Sequence, residues 1–352
     1  MSTYLLVDIG AGTMDVLDYD DADRQRYKAV VASPVIQVAN QIAADSGDLL
    51  VTGVEMGGGP VTRILKERAK TASVIVSVSA AATLNHDLQK IASWGIDVVP
   101  DQDAEKLKSD GGCTHVCLAD LDPQRLANIV TGFGVPFSFD VFGICAQDHG
   151  VPPRGVSHLD YRHSCFVKML DNKPFPHTLL YEKNAVPEEM NRLRAIARQA
   201  GSIPAGEVYV MDSGMAAILG ASRDLAALDM QTLAVLDVAT SHTVGATLSG
   251  GEIAGFFEYH THDITRHRLE GLLRDLADGN LHHHQILSEG GHGCYLRKAV
   301  GFVELEAIIA TGPRRSIVDG SKLPMLYGAP MGDNMMTGTV GLLEAIQKRR
   351  NE

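Results

Sequence analysis

Hydrophobic positions along the chain gather into short Val-, Ile- and Leu-rich runs at 4–7, 49–52, 74–78, 115–118, 141–146, 208–211 and 233–236. These have the length and composition of buried strands. Between several of them, apolar residues recur at helical spacing, over 61–69, 80–92, 123–130 and 187–199. The alternation predicts an α/β fold. The first run departs from the rule. It ends in Asp8, turns through Gly10, Gly12 and Thr13, and resumes as an apolar stretch over 15–19, which predicts a hairpin rather than a strand-to-helix crossover. The same order returns over 233–259: a strand ending in Asp237, a turn of small residues, a strand, a Gly250-Gly251 turn and a third strand. Laying Asp8 on Asp237 puts Gly10 over Ala239, Gly12 over Ser241 and Thr13 over His242. This predicts a duplicated domain divided near 222–230, with lobes over 1–222 and 223–352.

The turn after Asp8 has the makings of a phosphate site. Gly10 and Gly12 remove the side chains that would keep a polyphosphate from backbone N–H groups, and Thr13 adds a hydroxyl. Asp8 and Asp15 are placed to hold hydrated Mg2+, which takes few protein carboxylates. Two such turns facing each other would hold a triphosphate and its metal between Asp8 and Asp237. A dinucleotide fingerprint would need a third glycine where Asp15 stands, and a helix where a strand follows. No G-x4-G-K-[ST] motif occurs.

Composition narrows the field. A net charge of −12 with no long basic run argues against nucleic acid as a partner. No apolar stretch reaches the ~18 residues that span a bilayer, and the first residues do not read as a signal peptide, so a cytoplasmic protein without membrane contact is expected. Five scattered cysteines are expected to be reduced. Cys113 and Cys117 begin a C-x3-C pair, but position 120 is Asp, so no iron–sulfur motif is completed.

The chain resembles the actin, sugar-kinase and heat-shock-chaperone ATPase (ASKHA) superfamily in five segments. "DIGAGTMDV" and "DVATSHTV" resemble its two phosphate motifs, and "VYVMDSGMAAILGA" its strand-to-helix connection. "AIIATGPRR" is similar to the adenosine loop and "GDNMMTGTVGLLEAI" to the second interlobe helix. The segments "TGVEMGGGPVT", "AQDHGVPPRGVS" and "ATGPRR" further resemble an uncharacterised family labelled as a pyruvate formate-lyase activating enzyme, a label the missing third cysteine does not support. The resemblance implies two RNase H-like lobes around an ATP and Mg2+ cleft. It implies that Asp8 and Asp237 orient the metal, and that Gly10, Gly12, Thr13, Asp15, Thr240, His242 and Thr243 surround the phosphates. Gly312 and Arg315 would line the adenosine. Ala239, Ser241, His242 and Thr311 depart from the superfamily pattern, and His242 could supply an N–H to a phosphate instead.

Two acids compete for the catalytic role. Asp212 falls where the chaperones position the attacking water, which implies an ATPase. Asp148 follows the strand over 141–146 where sugar kinases place a base, which implies transfer to a small-molecule substrate. A nucleotide sensor or scaffold that keeps the fold is the alternative, and a metal hydrolase built around His260 and His262 is a third. "MGGGPVTR" offers N–H groups at a helix start with Pro60 near its first position, for an anion or simply as a turn. "LHHHQ" reads as a solvated loop. The second substrate or partner protein is not specified, and the acidic surface favours a soluble assembly such as a homodimer.

Overall fold

The computed structural model describes residues 2–153 and 155–351; Arg154, within the segment over 146–157 quoted above, lies outside them. β1 (Thr3–Ile9), β2 (Thr13–Asp20) and β3 (Arg26–Ala32) open the chain as a meander. An insert follows: α1 (Pro34–Ala43), β4 (Leu49–Gly53), α2 (Gly59–Arg68), β5 (Val74–Ser77), α3 (Val78–Ala81), α4 (Leu88–Ala92), β6 (Asp97–Val99), α5 (Asp101–Asp110), β7 (Thr114–Leu118) and α6 (Pro123–Gly132). The chain then returns as β8 (Phe139–Ala146), α7 (His158–Asn172), β9 (Leu180–Glu182), α8 (Asn191–Ala200), β10 (Ala205–Asp212) and α9 (Ser213–Ala221). The last part comprises β11 (Thr232–Val238), β12 (His242–Ser249), β13 (Glu252–His260), α10 (Arg266–Asp278), α11 (His283–Ser288), β14 (Gly293–Leu296), β15 (Ala307–Thr311), β16 (Met325–Tyr327) and α12 (Thr337–Asn351).

Two six-stranded sheets share a five-strand plan, with the sixth strand added at opposite ends, β9 beyond β10 and β14 beyond β13. The first runs β3-β2-β1-β8-β10-β9 and the second β14-β13-β12-β11-β15-β16. In each, an antiparallel meander is extended on its first strand by two parallel strands, β8 and β10 in one and β15 and β16 in the other. This is the duplicated RNase H-like plan. One apolar core runs through both sheets, with Leu233 and Val235 of β11 on its side and Ala234 and Leu236 packed instead under α10. That strict alternation is what a sheet covered on both faces by helices requires.

α9 and α12 cross between the lobes with no side chain separating them. A Cβ on Gly220 would overlap the Thr337 carbonyl, and one on Gly341 would overlap that of Ala216. Only glycine permits this approach.

The insert has its own all-parallel sheet, β6-β5-β4-β7, and its own core around Leu49, Val51, Leu65, Val76 and Ile91. It is fastened to the first lobe by Arg192, whose Nε and Nη2 donate to the two Asp120 oxygens at 2.8 Å while Nη1 donates to the Gln147 carbonyl at 2.7 Å.

The structure departs from two expectations. The helix expected over 80–92 is two short helices, because Thr83 turns its hydroxyl to the Val54 carbonyl and Asp87 starts α4 by accepting from Gln89 N at 3.0 Å. The loop expected at "LHHHQ" is largely α11, whose Ile286 is buried beside Leu281. His283 stacks on His163 with ring centroids 3.6 Å apart, so it is not a free surface histidine.

Candidate functional site

The two hairpin turns are the same object built twice. Gly10 N donates to the Thr13 carbonyl at 2.9 Å, and Ala239 N donates to that of His242 at 3.1 Å. The third strand of each meander closes on its turn alike: Ser33 N donates to Gly12 O at 3.1 Å, Thr261 N to Ser241 O at 2.8 Å. Ser33 Oγ donates to Gly10 O at 2.6 Å, and Thr261 Oγ1 to Ala239 O at 2.8 Å. Backbone geometry thus survives where the glycines do not. The acids at the strand ends also match. Asp8 lies beside Cys145 of β8 in register, and Asp237 beside Thr311 of β15, whose hydroxyl donates to Asp237 Oδ1 at 3.1 Å. The difference is across each hairpin, where Asp8 faces Asp15 but Asp237 faces Val244.

Burial and mutual repulsion leave these acids short of positive charge. Burial, with the neighbouring charges of Asp237 and Asp212, raises Asp8 to about 7 despite the Cys145 thiol. Burial and then Asp8 raise Asp15 to about 8, and burial raises Asp237 to about 6 against the Thr311 hydrogen bond. Asp15 Oδ1 is buried without a hydrogen-bond partner among the described residues. Two glycines hold the space in front of the acids: a Cβ on Gly338 would overlap Asp8 Oδ2, and one on Gly312 would lie 2.8 Å from Asp237 Oδ1. An all-oxygen donor set with an orphaned carboxylate oxygen fits a hydrated Mg2+ ion.

All of this opens on one cleft of 740 Å3, a size suited to a nucleotide. Asp8, Gly10, Gly12, Thr13 and Asp15 line it from the first lobe, and Asp237, Thr240, His242 and Gly312 from the second. The loops nearly meet, since a Cβ on Gly12 would lie 2.9 Å from Thr240 Cγ2. Gly57, Gly58 and Gly59 of the insert form a third wall, with Pro60 in the first turn of α2 as expected.

Three of the residues singled out from sequence do not line the cleft. Thr243 is fully buried, its hydroxyl 2.9 Å from that of Thr261. Arg315 reaches the Gly328 carbonyl and lies over the Tyr327 ring. Asp212 caps α9, accepting from Met215 N at 3.1 Å, and its other oxygen accepts from Arg162 Nη1 at 2.8 Å. Asp148 does line the cleft, raised to about 6 by burial, with its two oxygens accepting from Gly150 N at 2.7 Å and Leu193 N at 2.9 Å.

Further residues come into the cleft, of which His149, His86 and Glu55 were not singled out from the sequence. His149, next to Asp148, meets His242 and His292 there, with one ring nitrogen from each within 4.8 Å of the others. Burial, then the Arg162 charge, lowers His149 to about 3, and burial lowers His242 to about 4, so both are neutral imidazoles at neutral pH. Glu258 sits behind them, held by Arg162 and Gln147; burial pushes its carboxyl up, but Arg162 together with the neighbouring His292 and His242 keeps it well below the usual carboxylate range. His260 joins this group, whereas His262 is turned outward, 75% exposed and beside Asp263. At the insert side, His86 Nε2 lies 3.2 Å from Glu55 Oε1, and Asn191 donates to the other Glu55 oxygen. A doubled histidine run is visible in sequence, but a lone histidine in a loop carries no signal until the fold brings its partners to it.

A family model described as "Putative pyruvate format-lyase activating enzyme (DUF1786)" matches residues 56–317. No curated protein is significantly similar in sequence. Among solved structures, the ethanolamine utilization protein EutJ of Carboxydothermus hydrogenoformans is 10% identical over 97% of this chain and 88% of its own, with a TM-score of 0.32. MreB5 of Spiroplasma citri, bound to ADP, is 11% identical over 99% and 98%, with a TM-score of 0.34. A ROK hexokinase of Thermus thermophilus is 14% identical over 99% and 100%, with a TM-score of 0.33. The repeated strand order and the matching turn hydrogen bonds, not these superpositions, carry the assignment of the fold.

Proposed function

The chain belongs to the DUF1786 family, and within it we propose an ASKHA-type nucleotide-binding protein that holds ATP with Mg2+ between its lobes and transfers the terminal phosphoryl group. The observation that carries this reading is the pair of matching turns, each following a half-buried acid at its strand end, on either side of one cleft. Asp8 and Asp237, with Asp15 beside Asp8, would hold the ion through its water shell. Gly10, Gly12, Thr13 and Thr240 would meet the phosphates, and Gly312 the nucleoside, with Arg315 buttressing that wall from behind. Bound Mg2+ supplies charge neutralisation of the phosphoryl oxygens.

Asp148 reaches the cleft while Asp212 is committed to Arg162, and this favours transfer to a second substrate lying toward the glycines of the insert. Hydrolysis aided by Asp212 is the second reading. Five free cysteines do not fit an iron–sulfur cluster: Cys117 is exposed, Cys145 is buried against Asp8, and Asp120 is engaged by Arg192. Among the described residues no helix is long and apolar enough to cross a membrane. A cytoplasmic setting, without nucleic-acid partners, remains part of the proposal.

Calorimetric titration of ATP with Mg2+ into the wild type and Asp8→Ala tests the reading, followed by assay for released phosphate and for labelled product. Binding in the wild type that the variant loses is expected. Absence of binding at millimolar ATP would overturn it.

A further inference from the structure

We propose that the cleft holds a second cation site, built from His149, His242 and His292, that takes a first-row transition ion rather than Mg2+. The three imidazoles come from separate segments, the loop after β8, the first residue of β12 and the residue before β14, yet their ring nitrogens converge within 4.8 Å. An ion bound tetrahedrally at about 2.0–2.1 Å places its nitrogens roughly 3.3 Å apart, so a small inward movement of the rings completes the shell.

Two of the three rings have a polar group behind them, as metal-bound histidines do. His242 Nδ1 lies 2.8 Å from Ser241 Oγ, leaving Nε2 buried with no hydrogen-bond partner among the described residues. His292 Nδ1 lies 3.3 Å from Glu258 Oε1, within ion-pair distance but without hydrogen-bond geometry, so the carboxylate stands behind the imidazole as it does behind metal-bound histidines and a small turn of the ring would engage it. Glu258 is itself anchored by Arg162 and Gln147. The Nε2 atoms of His292 and His260 stand 3.0 Å apart, a spacing that one proton or one cation can bridge.

The donor set decides the class of ion. Neutral imidazoles suit Zn2+, Fe2+, Ni2+ or Cu2+, whereas Mg2+ takes oxygen. The substitutions in the second turn then have a common sense. Where the first turn has Gly12 and Thr13, the second has Ser241 and His242, one orienting the other. That copy has exchanged a backbone cradle for a side-chain ligand. The site does not depend on nucleotide binding.

The test uses the full chain, stripped with a chelator and titrated with Zn2+ against a chromophoric competitor, and separately with Co2+ while its visible absorption is recorded. One equivalent of Zn2+ is expected, with intense Co2+ ligand-field bands that excess Mg2+ leaves unchanged. His149→Gln, His242→Gln and His292→Gln should each weaken Zn2+ by more than ~100-fold, beyond the cost of losing an outer-shell partner. Asp8→Ala, His262→Ala and the pair His282→Ala with His284→Ala should leave it intact. Circular dichroism checks that the variants fold, and the Co2+ spectrum of the wild type needs no variant. Absent Co2+ bands, uptake that survives His149→Gln and His292→Gln, or uptake lost with His282 and His284 would overturn the proposal. Loss of nucleotide binding with retained Zn2+ in Asp8→Ala separates this site from the phosphate site.

Discussion

Arg162 Nη2 lies 3.4 Å from Glu258 Oε2 across the boundary between the lobes, while its Nη1 donates to Asp212 Oδ2 at 2.8 Å. One buried guanidinium on α7 therefore neutralises an acid from each half of the duplication. Arg162→Met strands both carboxylates in the interior, which costs about 3–5 kcal/mol when a buried pair is broken. Urea unfolding should show a loss of that order, partly restored by adding Glu258→Met. A loss below ~1 kcal/mol would mean that water reaches these acids.

Stability should fall as the pH rises from 6.5 to 8 in the absence of divalent cations. Asp8 and Asp15 hold protons in the folded state up to about 7 and 8, whereas the unfolded chain releases them near 3.8. The folded state binds more protons across this window, so raising the pH favours unfolding. His149 and His242 act in the opposite sense, mainly below about pH 7, where the unfolded chain takes up protons that the folded state does not, so they offset only the low-pH end of the window. Thermal melts in chelator at pH 6.5 and 8 should differ by several degrees, at roughly 2–4 °C per kcal/mol. Mg2+ or Asp15→Asn should flatten the difference; an equally steep slope in Asp15→Asn contradicts the assignment.

Gly338→Ala should abolish binding of ATP with Mg2+ and leave the fold in place. Its Cβ would occupy the position of Asp8 Oδ2, so the acid must swing away from the cleft. Gly132→Ala, at the end of α6 with open space around it, is the control and should bind normally. Calorimetry on both variants decides, and normal binding by Gly338→Ala would mean that Asp8 does not hold the cation.

Gly220→Ala and Gly341→Ala should each destabilise the protein by about 1–3 kcal/mol, the usual range for overpacking, or more where backbone must move. Neither Cβ meets a side chain that can turn aside; both meet carbonyl oxygens of the partner helix. Denaturant midpoints measure the effect, and unchanged midpoints would show that the crossing is looser than described.

The hairpin at Asp8 and its copy at Asp237 were legible in sequence because a strand, an acid and a turn lie within a few residues. The structure reproduces that alignment down to the turn hydrogen bonds. The separate sheet of the insert was not legible. Its runs at 49–52, 74–78 and 115–118 look like any buried parallel strands, and pairing is a property of the fold. α7 escaped for a more specific reason. Its buried stripe is Arg162, Phe166 and Leu170, so a charge occupies a core position and breaks the apolar period. The orientation of Arg315 and Thr243 likewise depends on partners, Tyr327 and Thr261, that no local pattern names.

The bare crossing of α9 and α12 has a mechanical consequence. Each helix starts at the floor of the cleft, one at Asp212 with Ser213 and Gly214 facing inward, the other with Gly338 against Asp8. With backbone against backbone at Gly220 and Gly341, any change of angle between the lobes would turn on this crossing, directly beneath the cleft. A tilt about this crossing would displace the outer rims of the lobes more than the acids, in proportion to their distance from it. Whatever docks on those rims would sense the contents of the cleft as a change of span.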